Sequence, residues 1–111
     1  MTLQNFDALL KALGVPVYHH EAFKAASPYL LWSEYGMNSY YADNRHAPRT
    51  WKIQVEYYTK EEYDTLPGGL ALLLDGAGVA WEGPVVDYEA DVKLIRHIFD
   101  CEVWDGAIQQ V

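Results

Sequence analysis

Between residues 51 and 58 the chain alternates without a break. Trp51, Ile53, Val55 and Tyr57 interleave with Lys52, Gln54, Glu56 and Tyr58. Successive side chains of a β-strand point to opposite faces, so this segment predicts a strand with one buried face and one wet face. Such a strand needs a partner and a layer to cover its apolar side. The partner is residues 29–35, Tyr-Leu-Leu-Trp-Ser-Glu-Tyr, rich in aromatic and aliphatic strand formers and set off by Ser27-Pro28. The polar stretch 36–48 between them predicts a long antiparallel hairpin, with Tyr40 and Tyr41 in or near its tip.

The covering layer is legible on both sides of the hairpin. Leu3, Phe6, Leu9, Leu10 and Leu13 recur three and four apart, which makes one helical stripe; Thr2 serves as its N-cap and Gly14 ends it. Residues 15–18 then read as a short extended segment, placed at a sheet edge by Pro16. Thr59-Lys60-Glu61-Glu62 has the pattern of a capping box. Pro67-Gly68-Gly69 opposes a helix running straight on, so a turn over 60–65 and a helix over 66–74 fit better, with Pro67 in its first turn. Leu66, Leu70, Leu73 and Leu74 face inward, and Gly76 or Gly78 stops it. Residues 79–82 read as a short strand closed by Gly83-Pro84. Residues 91–104 fit both a strand and a helix, and the polar Arg96, Asp100 and Glu102 on one strand face favour the strand. The expected fold is α+β: two layers, a mainly antiparallel sheet of about four to five strands with two helices on one face, and a single domain over residues 1–111.

Composition narrows the function. Half the 111 residues are hydrophobic and 22% are charged, as in an ordinary globular domain. No apolar run approaches the ~20 residues that span a bilayer, and the opening MTLQNFDALLKALG lacks the pattern of a signal peptide. The lone Cys101 forms no internal disulfide. The expectation is a chain folded in cytoplasm, with no membrane partner. Sixteen Asp and Glu against eight Lys and Arg leave a net charge of -8. Affinity for nucleic acid comes mostly from neutralising phosphates, so a dedicated nucleic-acid binder is not expected. The one basic cluster, Arg45, His46, Arg49 and Lys52, reads as a solvated hairpin tip.

Candidate chemistry is sparse. His19 and His20 are adjacent and would point to opposite faces of a strand, so they would not chelate one ion there. In a loop they could, but zinc wants three or four ligands with defined spacing; no Cys-x-x-Cys, His-Glu-x-x-His or calcium-loop spacing is present, and no metal site is expected. His97 and Cys101 stand four apart, in reach of each other on a helix but not on a strand. Asp87, Glu89 and Asp91 read as a solvated acidic loop. Gly68-Gly69 and Gly76-Ala77-Gly78 lack the Lys and Ser/Thr of a phosphate loop. Neither an enzyme nor a cofactor is expected. Nine tyrosines and four tryptophans stand out instead, several of them in a loop (Tyr40, Tyr41) or on the wet strand face (Tyr58). Such residues are enriched at protein interfaces.

Ala12-Leu13-Gly14-Val15-Pro16-Val17, then Tyr41-Ala42-Asp43-Asn44 leading into residues 51–60, Leu72-Leu73-Leu74 and Gly78-Val79-Ala80-Trp81-Glu82, resemble a group of small prophage proteins. The resemblance continues to about Val103 and departs at Pro67-Gly68-Gly69. These proteins are similar to the tail-terminator, or head-tail-joining, proteins of long-tailed phages. The resemblance implies a structural, non-enzymatic virion protein at the head-tail junction, assembled in the bacterial cytoplasm. Its partners would be itself, in a hexameric ring, the tail-tube protein and head-connector proteins. Tyr40, Tyr41, Arg45, Arg49 and Tyr58 would be the interface anchors, and Asp87, Glu89, Asp91, Asp100 and Glu102 would line an acidic lumen. A head-completion or minor capsid role, and a cytoplasmic protein-binding adaptor, are the alternatives.

Overall fold

The computed structural model describes residues 1–39 and 49–105. Helix α1 (Leu3–Lys11) begins where the Thr2 hydroxyl accepts the Asn5 amide at 3.0 Å, which satisfies one of the amides left over at a helix start. It buries Phe6 and Leu10, the middle of the expected stripe. Gly14, at φ +81°, makes the left-handed turn that leads out of the helix and into β1 (Val17–His19). Strands β2 (Tyr29–Ser39) and β3 (Arg49–Thr59) pair antiparallel. Then come α2 (Leu66–Gly76), β4 (Ala80–Glu89) and β5 (Leu94–Trp104). The spatial order is β1-β2-β3-β5-β4, with β1 parallel to β2 and every other pair antiparallel. Two helices and a five-stranded open sheet make the α+β architecture that the sequence predicts. No helix among the described residues is long and apolar enough to cross a membrane.

Two local readings are corrected, at β2 and β4, and the turn expected over 60–65 forms. The capping-box pattern caps nothing, because the Thr59 hydroxyl accepts the Glu61 amide at 3.1 Å and donates to Asp64. Asp64 accepts the Leu66 amide at 2.9 Å and so prepares the start of α2, with Pro67 in its first turn. β2 runs on to Ser39 through a bulge between Glu34 and Gly36, in what reads as loop. β4 does not stop at Gly83-Pro84 but continues to Glu89 through a second bulge between Glu82 and Val85. Gly83 has φ +112°, and a Cβ there would lie 2.8 Å from the backbone oxygen of Ile98. Only glycine fits that corner.

Both helices pack on the same face of the sheet. Phe6, Leu10, Leu70 and Leu74 close over Trp32, Ile53, Val55, Tyr57, Phe99 and Cys101. Burying each such side chain contributes roughly 1.5–3 kcal/mol, so this contact dominates the stability. At one end of the opposite face Tyr29, Tyr58 and Leu94 form a satellite cluster with Tyr18, Ala22, Ala25 and Leu31. Among the described residues, no helix covers the rest of that face.

Candidate functional site

The uncovered face collects acid. Because β3 and β5 alternate, Lys52, Gln54 and Glu56 share it with Arg96, Ile98, Asp100 and Glu102. β4 would deliver its acids to both faces if it were regular, since Glu82 is at an even position and Asp87 and Glu89 at odd ones. The bulge at Gly83 shifts the register by one residue, so Glu82 opposes Asp100 and Asp87 opposes Arg96. All three carboxylates therefore reach the same face. The sequence places Asp87 and Glu89 in a loop; pairing with β5 makes them strand residues. Asp91 sits apart from them, in the turn between β4 and β5.

Arg96 organises one end of this face. Its guanidinium binds Asp87 through two hydrogen bonds, Nε to Oδ1 at 3.0 Å and Nη2 to Oδ2 at 2.7 Å. It also meets Glu89 at 2.8 Å and Glu56 at 3.9 Å. The hydrogen bonds from Arg96 hold the Asp87 carboxyl below its ordinary value. At the other end the Tyr35 hydroxyl donates to Asp100 at 2.7 Å, the Thr50 hydroxyl donates to Glu102 at 3.1 Å, and the Lys52 ammonium lies over the Tyr35 ring. The bond to Asp100, with partial burial, pushes the Tyr35 phenol up to about 12. Around these groups runs an open groove of about 570 Å³ that Trp81, Glu82 and Cys101 also line. Of the five expected lumen residues the fold thus brings together Asp87, Glu89, Asp100 and Glu102. Glu56, Glu82 and the hub Arg96 are site residues that sequence reasoning missed. The alternation of β5 marked the face of Arg96, but nothing local says which carboxylates lie opposite.

The expected interface anchors fare differently. Tyr40, Tyr41, Arg45 and His46 lie outside the described residues. Arg49 opens β3 opposite Ser39. Tyr58 is not an exposed aromatic: it is 9% accessible, stacked on Tyr29 at 4.8 Å, and its hydroxyl donates to Glu56. Burial, then that hydrogen bond, raises its phenol well above the ordinary value. The loop before β2 covers this end of the wet face, which strand alternation alone does not show. β4 carries three neighbouring exposed apolar side chains, Val85, Val86 and Tyr88, and others such as Phe23, Tyr63 and Leu72 stand elsewhere on the surface. Among the described residues β4 is an edge strand, and its outer backbone groups have no sheet neighbour there.

The nucleophile-and-base reading of Cys101 and His97 finds no support in the geometry. Both lie on strand β5, and Cys101 is buried, with desolvation pushing its thiol up to about 12. A thiol with so little thiolate is a poor nucleophile. Both ring nitrogens of His97 are buried without a hydrogen-bond partner among the described residues, and burial lowers its pKa against the opposing pull of Asp64.

His19 and His20 do not lie together on a strand, so the rule of opposed faces does not govern them. His20 lies just beyond β1 with φ +67°, and this left-handed step turns its ring onto that of His19, with centroids 4.0 Å apart. His19 Nε2 lies 2.6 Å and His20 Nε2 3.0 Å from the same Glu34 oxygen, Oε1. Partial burial works to raise the Glu34 carboxyl, but the bond to His19 and the nearby His20 outweigh it and hold it low. No protein-family model matches the chain, and comparison with curated proteins finds no match.

Proposed function

We propose that this chain is a structural phage or prophage morphogenesis protein of the tail-terminator kind, which closes into a ring at the head-tail junction. The reading rests first on the sequence resemblance. The structural observation that supports it most is the acidic uncovered face of the sheet. There, among the described residues, Glu56, Glu82, Asp87, Glu89, Asp100 and Glu102 stand against Lys52 and Arg96. DNA that passes through a ring must not adhere to it, and a wall of carboxylates repels phosphate. A ring also needs one heterologous contact repeated until the rotation closes. The edge of β4, free among the described residues, offers one half of such a contact with Val85, Val86 and Tyr88. An adaptor that binds a single protein would need no such wall.

Genetics separates the readings. Tails from a phage that lacks the gene should be abnormally long or headless by electron microscopy, and adding purified protein should restore them. Tails of normal length that still join heads would overturn the proposal. Val86→Lys with Tyr88→Lys should leave the monomer folded and abolish ring formation or tail capping.

A further inference from the structure

The His19, His20 and Glu34 cluster takes no part in the ring reading, and it has the donors and the support of a metal site. His19 is stacked on Trp32 with ring centroids 3.9 Å apart and planes 14° apart. Trp32 is in turn fixed by its indole N–H, which donates to Asp7 at 2.8 Å. The His20 amide donates to the Trp32 carbonyl at 2.9 Å, and the Glu21 amide to the His19 carbonyl at 2.8 Å, so the left-handed step is held from both sides. A non-glycine residue in that conformation is strained, and here the strain is what makes two neighbouring rings converge on one carboxylate.

We propose that His19, His20 and Glu34 bind one divalent transition-metal ion of the zinc class, with the remaining coordination position open to solvent. One ligand atom from each of the three residues lies within 4.8 Å of the others. A tetrahedral zinc ion, with bonds of about 2.0–2.2 Å, holds its ligands about 3.3–3.6 Å apart. Small side-chain rotations would cover that difference, because both imidazoles are partly exposed, with 40% and 55% of the side chain accessible. Two imidazole nitrogens and one carboxylate suit zinc and its neighbours, whereas magnesium and calcium take oxygen ligands. Each imidazole would give up its Nε2 proton, by tautomer exchange or to solvent, and the ion would take the place of the hydrogen bonds to Glu34.

The test is calorimetric titration of the tag-free full chain, stripped by chelator, with zinc chloride and separately with magnesium chloride at neutral pH. One zinc per chain and no magnesium uptake is the expected result. His20→Ala and Glu34→Gln should each weaken zinc at least about tenfold, with circular dichroism showing both folded, while His97→Phe and His46→Ala bind as the parent does. Cobalt(II) in place of zinc should give ligand-field bands in the parent that are lost in Glu34→Gln. No zinc uptake by the folded parent overturns the proposal. So does uptake that survives both ligand variants, or that disappears in His46→Ala.

Discussion

The two faces of the sheet are built from the same strands, and they are held by different forces. On the helix side, Ile53, Val55 and Tyr57 alternate inward beneath Leu10, Leu70 and Leu74, and except at Trp51 and the His97 ring the contacts are apolar or closed by a satisfied polar tip. The Tyr57 hydroxyl, for instance, donates to Asp64 at 2.6 Å. On the other side, the intervening Lys52 and Glu56 meet Arg96 and a row of carboxylates in contact with water. The first face is held mainly by burial of apolar area, and the second is set by charge balance. One alternating strand thus supplies both the stability of the fold and a surface free for another purpose.

The largest effect that would break this contrast is expected at Trp32. It is 2% accessible, meets Phe6 edge-on at 5.5 Å and supports His19. Trp32→Ala should cost about 3–5 kcal/mol in denaturant unfolding, while Gln54→Ala on the wet face should stay within about 0.5 kcal/mol. Equal costs would mean that the faces are not distinct.

Gly83→Ala comes next, at about 2 kcal/mol, since the new Cβ meets a backbone oxygen in a region of φ that alanine avoids. Its sharper readout is hydrogen exchange along β4, which should lose protection beyond Val85 while α1 and α2 keep theirs. Unchanged protection would show that the bulge is not what sends Asp87 and Glu89 to the acidic face.

Arg96→Met should lower the thermal midpoint by a few degrees at low ionic strength and by less at high salt. Without the guanidinium, Glu56, Asp87 and Glu89 repel one another, and salt screens that repulsion. A loss independent of salt would point to packing rather than charge.

The smallest effect belongs to His97 and appears only as a slope. Its pKa is lower folded than unfolded, so the unfolded chain binds the extra proton as pH falls below about 6.5. Stability therefore declines with falling pH from that point, above the range where Asp7, Glu34 and Asp64, each held low in the fold, begin to protonate. His97→Phe should flatten the decline at mildly acidic pH and leave the steeper loss at lower pH. An unchanged slope in equilibrium unfolding would remove His97 as its source.

How much of this was legible depends on the range of the interaction. The helix stripe of Leu3, Phe6 and Leu10, the alternation of β3 and the choice of strand over helix for β5 were all readable, because each is a periodic pattern within one segment. The full length of β4 was not. Gly83-Pro84 reads locally as a stop, and only pairing with β5 carries the strand past it. Tyr58 was misplaced for a similar reason: its face of the strand is wet in general, yet a loop far away in sequence covers its end of it. At His19 and His20 the strand rule itself was sound, but it applied to a strand that ends one residue too soon.

By itself the sequence determined the number and kind of elements, the α+β class, the residues of the main core and the negative balance of the surface. Each of these follows from spacing along the chain and from composition. Only the tertiary structure decided which charges share a face, which tyrosine is buried and which imidazoles meet a carboxylate. Arg96 and Asp87 are nine positions apart, and His19 and Glu34 fifteen. Their meeting depends on strand order, on register and on single-residue bulges that exchange one face for the other. No local pattern encodes those choices, because a strand's side chains alternate identically in either register, and the partner strand determines which set is covered.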